Sequence, residues 1–303
     1  MIDFKALDPN EKEKYDSILK NCGHRGCEYS FANLYLWGRQ KAAFLHGHIV
    51  FFSQFNRRSV YLFPVGEGDK KPVLDALIED ASHRGIPLRL TGLMPEDCET
   101  VERLYPGRFR FHTDRDGYDY VYDISALSQL KGKKYQKKRN HLNRFLAAHP
   151  YHTAQPITEE NEQLVREMVE AWYREKEATD PEGDYHMEKA AIFKALDRRT
   201  ALEMEGYALM VDGVCVAMSM ASLLSDTMLD VHFEKALDRV EDAYAAINFY
   251  FSGYLQDKYP RVQWLNREDD MGIEGLRRAK LSYRPDRMIE KAWACLLEDN
   301  YDY

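Results

Sequence analysis

The sequence predicts an α+β protein of two similar domains, each with a central mixed sheet flanked by helices. Two observations support this fold class. Segments with the apolar spacing of helices alternate with strand-like runs, and the order of helices, strands, helix and strand occurs twice. The length of 303 residues also suits two domains better than one. We therefore predict an N-terminal domain over residues 1–123 and a C-terminal domain over residues 124–303.

The first half begins with two helices and continues into strands. Pro9 favours a helix that runs to about Lys20, because proline is tolerated in the first helical turn. Ser30 is the N-cap candidate for a helix that ends near Trp37. Apolar runs and turn residues then predict strands over 42–45, 48–53 and 60–64, a helix over 69–84, a strand over 86–91, a helix over 94–105 and a strand over 109–112.

The second half repeats this order. Asp212-Gly213 is a strong signal for a two-residue hairpin turn between two strands. A short helix stops before Pro285, because proline cannot continue a helix. The other predicted elements are helices over 158–178 and 185–202, strands over 206–211, 214–223 and 227–233, a helix over 242–254, and strands over 262–265 and 288–297.

Three tyrosines alternate along one predicted strand. Tyr118, Tyr120 and Tyr122 are each two residues apart, so a strand places all three on one face. The favoured interpretation is an aromatic sheet face packed against helices. The alternative is the wall of a cleft, in which case Tyr120 and Tyr122 are candidate substrate-binding residues.

The strongest electrostatic feature is residues 131–144, which we call the basic segment. The net charge of −8 excludes a basic field over the whole protein, so any polyanion must bind locally. The segment contains no acid, and a helix here would turn Tyr135, Leu142 and Phe145 inward, whereas exposed helix faces usually mix charges. A polyphosphate partner is therefore predicted, and RNA, anionic lipid headgroups and a phosphorylated cofactor all remain open. Its basic residues are Lys131, Lys133, Lys134, Lys137, Lys138, Arg139 and Arg144.

The sequence is expected to belong to a cytoplasmic protein. The N-terminal stretch is charged and has no apolar run like that of a signal peptide, and no run approaches the ~20 apolar residues of a membrane span. Five cysteines are an odd number for a disulfide framework. Cys22 and Cys27 flank His24 without a second ligand pair at zinc spacing, so no metal is expected.

A compact stretch from Asn266 to Pro285 gathers acids, glycines and bases. Together with the run His232-Phe-Glu-Lys235, Ala243-Tyr244, Asn248 and the tyrosine strand, it resembles the phosphatidylglycerol lysyltransferase C-terminal-domain family, which is related to the FemABX aminoacyl-tRNA transferases. The resemblance implies tandem GNAT-like (acyl-CoA N-acyltransferase-like) domains. It also implies transfer of an aminoacyl group from a charged tRNA to an amine or hydroxyl acceptor, with the basic segment on the acceptor stem.

The donor ester of such a reaction is already activated, so the enzyme mainly positions groups and stabilises charge. Asp269 or Asp270 is the candidate for holding the ammonium of the aminoacyl group. Lys280, with Arg277, is the candidate for neutralising the oxyanion or the terminal phosphate. The proton acceptor is assigned to Glu234 or Asp230. Candidate substrate-binding residues are Tyr120, Tyr122, His232, Tyr244, Asn248, Asn266 and Arg277.

Two other functions remain open. An acyl-CoA-dependent N-acetyltransferase needs a glycine-rich turn before its central helix to hold the pyrophosphate. The matching residues here are 239–244, Arg-Val-Glu-Asp-Ala-Tyr, whose acids oppose a phosphate, so no cofactor is expected. The other alternative is a non-catalytic module that binds tRNA or another polyanion, and peripheral contact with an anionic membrane is compatible with the basic segment. The amino acid and its acceptor are left open.

Overall fold

The computed structural model describes residues 1–37, 39–55, 58–181, 183 and 185–297, and these residues form two mixed sheets flanked by helices. The predicted α+β class is confirmed. The strands are β1 (Lys5–Ala6), β2 (Gln40–Leu45), β3 (His48–Phe55), β4 (Arg58–Gly66), β5 (Arg89–Leu93), β6 (Phe109–Thr113), β7 (Asp119–Asp123), β8 (Thr153–Pro156), β9 (Glu205–Val211), β10 (Val214–Ser225), β11 (Met228–Ala236), β12 (Trp264–Asn266), β13 (Arg287–Ile289) and β14 (Ala292–Leu296). The α-helices are α1 (Lys12–Leu19), α2 (Phe31–Leu36), α3 (Lys70–Arg84), α4 (Pro95–Leu104), α5 (Ile124–Gln129), α6 (Gln136–Ala148), α7 (Glu162–Thr179), α8 (His186–Arg198), α9 (Ala243–Lys258) and α10 (Glu274–Leu281).

The first sheet has the strand order β1-β2-β3-β4-β5-β14-β6. The strands β4 and β5 are parallel, and α3 connects them along the chain. The ends of α3 follow from its sequence: Asp69 accepts a hydrogen bond from the Lys71 N–H, and Gly85 adopts φ 65°, a left-handed conformation that suits glycine. Val73 and Leu77 of α3 are fully buried in the core of this sheet.

The second sheet has the strand order β13-β7-β12-β11-β10-β9-β8. The strands β11 and β12 are parallel and are connected along the chain by α9. The hairpin between β9 and β10 turns at Asp212 and Gly213, with φ 51° and 79°, so the predicted turn is confirmed. The rings of Tyr120 and Tyr122 lie in the core on this sheet, fully buried, whereas Tyr118 precedes β7 and is half-buried.

The two sheets have the same topology, and each receives one strand from the other half of the chain. The strand next to β5 is β14, although β14 lies near the C-terminus. The strand next to β12 is β7, although β7 follows β6 directly in sequence. The chain accordingly divides into a first unit of residues 1–119, 269–273 and the chain from Ile289 onward, and a second unit of residues 120–268 and 274–288.

This division differs from the predicted domains over 1–123 and 124–303. Residues 120–123 join the second unit, and the segments 269–273 and from Ile289 join the first. The reason is that local periodicity identifies a strand but not the sheet that it completes.

Some local predictions also differ from the structure. The run 288–297, predicted as one strand, is two strands interrupted at Glu290 and Lys291, and they belong to different sheets. The helix α5 and the strand β8 were not predicted. Within the described residues, no helix combines the length and the apolar character needed to cross a membrane.

Candidate active site

The candidate site lies in the second unit, where β11 and β12 diverge. The two strands pair at three positions, Met228–Asp230 with Trp264–Asn266. The strand β11 continues to Ala236, whereas the chain after β12 bonds to Tyr120 on β7. Asp230, His232 and Glu234 all lie on this part of β11, whose pairing with β10 is irregular at His232. We call the region the divergence site, formed by Lys138, Ser222, Asp230, His232, Glu234, Asn248, Arg267, Glu268 and Tyr283.

A buried ion pair lies in the divergence site. Arg267 Nη2 donates to Glu234 Oε1 at 2.8 Å, and both side chains are only 12% exposed. Asn248 Nδ2 donates to the other oxygen, Oε2, at 3.3 Å. Burial opposes the charge on Arg267, but Glu234, Tyr122 and Tyr283 together raise the pKa of the guanidinium. Each oxygen of the Glu234 carboxylate thus accepts from a different side chain, which suits Glu234 to positioning.

Polar atoms next to this ion pair have no hydrogen-bond partner among the described residues. Arg267 Nη1, a donor, and Asn248 Oδ1, an acceptor, are both buried and without a hydrogen bond. Most buried polar atoms in folded proteins are hydrogen-bonded, so these two atoms are candidates for contact with a ligand. The site therefore offers one donor and one acceptor, on two side chains that both contact Glu234.

Lys138 belongs to this site rather than to the exposed part of the basic segment. Its Nζ lies 3.7 Å from the centre of the Tyr283 ring. Burial, and then the like charge of Arg267, lower the pKa of Lys138 to about 8. The Arg267 guanidinium lies 5.0 Å from the same ring. Lys138 is thus a half-buried amine that can change charge near neutral pH.

A second polar cluster is formed by Ser222, Asp230, His232 and Glu268. Ser222 Oγ is 2.8 Å from His232 Nε2. His232 Nδ1 lies 3.4 Å from Asp230 Oδ2 and 3.4 Å from Glu268 Oε1. Asn266 Oδ1 accepts from the Glu268 N–H at 2.7 Å and so orients the segment that carries this acid.

Lys280 is buried against the backbone of the same region. Its Nζ donates to the Arg267 carbonyl at 2.5 Å, and its own carbonyl accepts from the Tyr122 hydroxyl at 2.8 Å. These bonds fix α10 to the segment after β12, which gives Lys280 a positioning role. Arg277, one turn earlier on the same helix, is half-buried.

The two predicted acids belong to the first unit, whereas Glu234 and Lys280 belong to the second. Asp270 is fully buried, and its Oδ1 accepts from the Gly272 N–H at 3.0 Å. This contact closes a turn of the loop. Asp269 Oδ2 lies 4.0 Å from Lys291 Nζ.

A buried ion cluster around Lys291 was not predicted. Lys291 Nζ lies 2.7 Å from Asp119 Oδ1, 3.1 Å from Glu28 Oε2 and 3.7 Å from Cys27 Sγ, all within the first unit. Burial opposes the charge, but Asp119 and the neighbouring acids raise the pKa of Lys291 well above its ordinary value. The available signal was the polar pair Glu290-Lys291 inside the last apolar run.

Some residues of the basic segment bond to other parts of the protein, and others are exposed without an ion pair to a described residue. Arg139 donates to the carbonyls of Leu130 and Gly132, and Lys134 lies 3.5 Å from Asp286. Arg144 donates to Asp242 at 2.8 Å. The bases with exposed side chains and no described ion pair are Lys131, Lys133 and Lys137.

A carboxylate lies at the start of α9 without bonding to the backbone N–H groups of the helix. Asp242 precedes the helix with φ 64°, and its side chain contacts His141 at 2.6 Å and Arg144 at 2.8 Å. These two bases lower the pKa of Asp242 against the opposing effect of burial. Tyr244, in the first turn, is exposed, and its hydroxyl accepts from Trp172 Nε1 at 3.2 Å.

Comparison with known proteins supplies the family and the fold. A Bacteroides thetaiotaomicron protein, whose crystal structure is described as that of a conserved protein of unknown function, is 36% identical with a TM-score of 0.93, covering 98% of this chain and 100% of that chain. The structure of L-PGS from Bacillus licheniformis gives a TM-score of 0.70 at 16% identity, covering 100% of this chain and 95% of that one. The crystal structure of FemX gives 0.65 at 9% identity, covering 98% of each chain.

A curated relative and a family model complete the comparison. An uncharacterised protein of Mycoplasmoides gallisepticum is 25% identical over 181 residues, 57% of this chain, and the chain spans about half (54%) of that protein's length. The predicted tandem GNAT-like fold is confirmed. The family model described as phosphatidylglycerol lysyltransferase, C-terminal, matches residues 20–295, and the chain therefore belongs to this family.

Proposed function

We propose that this protein is an aminoacyltransferase that moves an amino acid from an aminoacyl-tRNA to an amine or hydroxyl acceptor. Family membership supports the reaction class. The observation that carries the proposal is the pair of buried atoms without hydrogen bonds, Arg267 Nη1 and Asn248 Oδ1, on either side of Glu234. An aminoacyl ester has an ammonium donor and a carbonyl acceptor close together, which match this pair.

The side chains then have distinct roles. Asn248 Oδ1 accepts from the ammonium of the aminoacyl group. Arg267 donates to the ester carbonyl oxygen, where negative charge grows as the acceptor attacks the carbon. Glu234 holds both side chains in place, and this positioning role replaces that of proton acceptor.

Lys138 supplies the proton for the leaving group. As the acceptor oxygen or nitrogen bonds to the carbonyl carbon, the bond from that carbon to the ribose oxygen breaks. The ribose oxygen takes a proton from the Lys138 ammonium, and the acceptor's proton returns the amine to its charged form, directly or through solvent. A pKa of about 8 suits a group that both gives and takes a proton near neutral pH.

The exposed part of the basic segment binds the tRNA backbone. Lys131, Lys133 and Lys137 have no described ion pair, so their charges are available to phosphates. The reaction is assigned to the cytoplasm, and all five cysteines are free thiols. An acyl-CoA donor is disfavoured because Asp242 places a carboxylate at the start of α9, where a pyrophosphate would bind.

The test is label transfer from a mixture of radiolabelled aminoacyl-tRNAs in the presence of cell extract. We expect loss of label from tRNA above the buffer rate, and a decrease of about 100-fold or more in Arg267→Lys, because a lysine cannot replace the guanidinium geometry. Arg278→Lys, at an exposed arginine of α10, is the matched control and should retain the wild-type rate.

Two results would contradict the proposal. Wild-type protein that binds tRNA without removing or transferring label is a non-catalytic binding module. An Arg267→Lys variant with wild-type circular dichroism and wild-type turnover would place the reaction elsewhere.

A further inference from the structure

The second cluster of the divergence site, formed by Asp230, His232 and Glu268, has no part in the proposed reaction. Asp230 and His232 are two residues apart on β11, and Glu268 follows β12. One oxygen or nitrogen atom from each of the three lies within 4.8 Å of the other two. The side chains are 0%, 2% and 21% exposed respectively, so the cluster is largely buried.

The spacing within the cluster is too wide for strong hydrogen bonds. His232 Nδ1 is 3.4 Å from a carboxylate oxygen of Asp230 and 3.4 Å from one of Glu268, whereas N–H···O bonds are about 2.7–3.2 Å long. His232 Nδ1 is buried and makes no hydrogen bond to a described residue. Ligand atoms about 2.1 Å from a tetrahedral Zn²⁺ lie about 3.4 Å from each other. The two distances from His232 Nδ1 therefore match the spacing of ligand atoms around a metal ion, and the third pair of ligand atoms lies within 4.8 Å.

Ser222 contacts the imidazole on its other side, with Oγ 2.8 Å from His232 Nε2. In the tautomer with its proton on Nε2, the ring donates to this hydroxyl and leaves the Nδ1 lone pair facing the carboxylates. Histidines that bind metals almost always donate their other N–H to an oxygen in this way. We propose that Asp230, His232 and Glu268 bind one divalent metal ion, for which Zn²⁺ is the best match.

The ligand types narrow the choice of ion. Mg²⁺ and Ca²⁺ prefer oxygen ligands alone, whereas one imidazole and two carboxylates suit Zn²⁺. The ion joins β11 to the segment after β12, at the residue that follows Arg267 in the chain. Its role is to fix the geometry of this segment, and the proposed transfer has no step that depends on it. The sequence did not predict a metal at these positions.

The first unit provides a built-in comparison. Cys27, Glu28 and Asp119 also have ligand atoms within 4.8 Å of one another. There, however, the Lys291 ammonium already lies 2.7 Å from Asp119 and 3.1 Å from Glu28. A cation of the protein itself occupies that cluster, so we expect no zinc ion there.

The test uses the full chain after dialysis against a chelator, titrated with ZnCl₂ by calorimetry and followed by the melting temperature Tm. We expect one Zn²⁺ per chain and a rise in Tm, both lost in His232→Gln. Ser222→Ala should weaken the affinity about 10- to 100-fold, because it removes the partner that orients the ligand. Cys27→Ser, in the first unit, and His83→Gln, at an exposed histidine, are matched controls and should retain the wild-type stoichiometry.

Several outcomes would overturn this proposal. These are a wild-type chain that takes up no zinc, and a folded His232→Gln chain that still binds one equivalent. If His232→Gln does not fold, Glu268→Gln replaces it, because this side chain is partly exposed, and wild-type zinc affinity there has the same meaning. A further contradicting result is a chain that takes up no zinc but binds lysinamide, with this binding lost in Glu268→Gln. The cluster would then be a site for an organic ammonium group. None of these results bears on Arg267 or Asn248, so the proposed transfer is tested separately.

Discussion

Arg267 and Glu234 form a buried ion pair, with 2.8 Å between Nη2 and Oε1, where two parallel strands of the second sheet diverge. Each side chain is 12% exposed. Because both charges are largely removed from water, each depends on the other for its stability. A change to this pair should therefore affect both the free energy of unfolding and the geometry of the proposed site.

Removing one member of this pair should cost more than removing both. Glu234→Ala leaves a buried guanidinium without its carboxylate, for which we expect a loss of about 3–5 kcal/mol in the free energy of unfolding. The double variant with Arg267→Ala should lose less than the sum of the two single changes. Urea denaturation of the three variants measures the coupling, and strictly additive losses would contradict a direct interaction.

The stability difference between wild type and Lys138→Met should depend on pH. The pKa of Lys138 is about 8 in the folded protein and about 10.4 in an unfolded chain, so the unfolded chain binds more protons between these values. Wild-type stability should then rise with pH across this window relative to the variant. Below pH 8 we expect the variant to be more stable by about 2 kcal/mol, allowing for the partial exposure of the lysine. A gap that stays constant from pH 7 to pH 10 would refute the lowered pKa.

The three exposed lysines of the basic segment should set the salt dependence of tRNA binding. Changing Lys131, Lys133 and Lys137 to alanine should reduce the slope of log K against log salt by about 2–3, since each phosphate contact contributes about 0.9. Arg139→Ala is the matched control, because that side chain bonds to the carbonyl of Gly132 and is engaged within the protein. Filter binding at several salt concentrations measures both. A wild-type slope in the triple variant would place the tRNA elsewhere.

Lys291→Met should destabilise the first unit in a pH-dependent way. The change leaves the carboxylates of Asp119 and Glu28 buried without their cation, for which we expect a loss of about 3–5 kcal/mol near pH 7. The difference should shrink on acidification, because burial raises the pKa of Glu28 and its protonation removes part of the charge that Lys291 balanced. Lys71→Met, at an exposed ion pair, should cost less than about 1 kcal/mol. Calorimetric unfolding at pH 5 and pH 7 tests both variants.

The first sheet should depend on the strand near the C-terminus. Ala294 on β14 is fully buried and pairs with Leu90 of β5 and with Phe111 of β6. Ala294→Asp should abolish cooperative unfolding of the first unit, since an unpaired charge would be buried between two strands. Leu297→Asp, at an exposed position just after β14, should be tolerated. Proteolysis and near-UV circular dichroism distinguish the outcomes, and a folded Ala294→Asp protein would show that β14 is dispensable.

Local sequence signals predicted most individual elements because caps and turns act over a few residues. Ser30 accepts from the Asn33 N–H at the start of α2, as its N-cap position predicts. The sheet to which a strand belongs depends on pairing over long separations, and this is why the places of β7 and β14 were not predicted.

The candidate site was predicted in part for the same reason. Glu234 and Asn248 were chosen as candidates, and the structure brings their side chains into contact. Arg267 was missed, because a single arginine among acids has no distinctive local pattern. The contact between Arg144 and Asp242 could not be predicted from local sequence either, since the two residues are 98 positions apart along the chain.

The placement of β14 has a consequence for biosynthesis. Domains are usually completed in the order in which they are made, the N-terminal one first. Here the earliest sheet has a vacant position between β5 and β6 until residues 292–296 leave the ribosome. If synthesis stalls before that point, β5 and β6 each keep one edge without a neighbouring strand. Such exposed edges favour binding by chaperones.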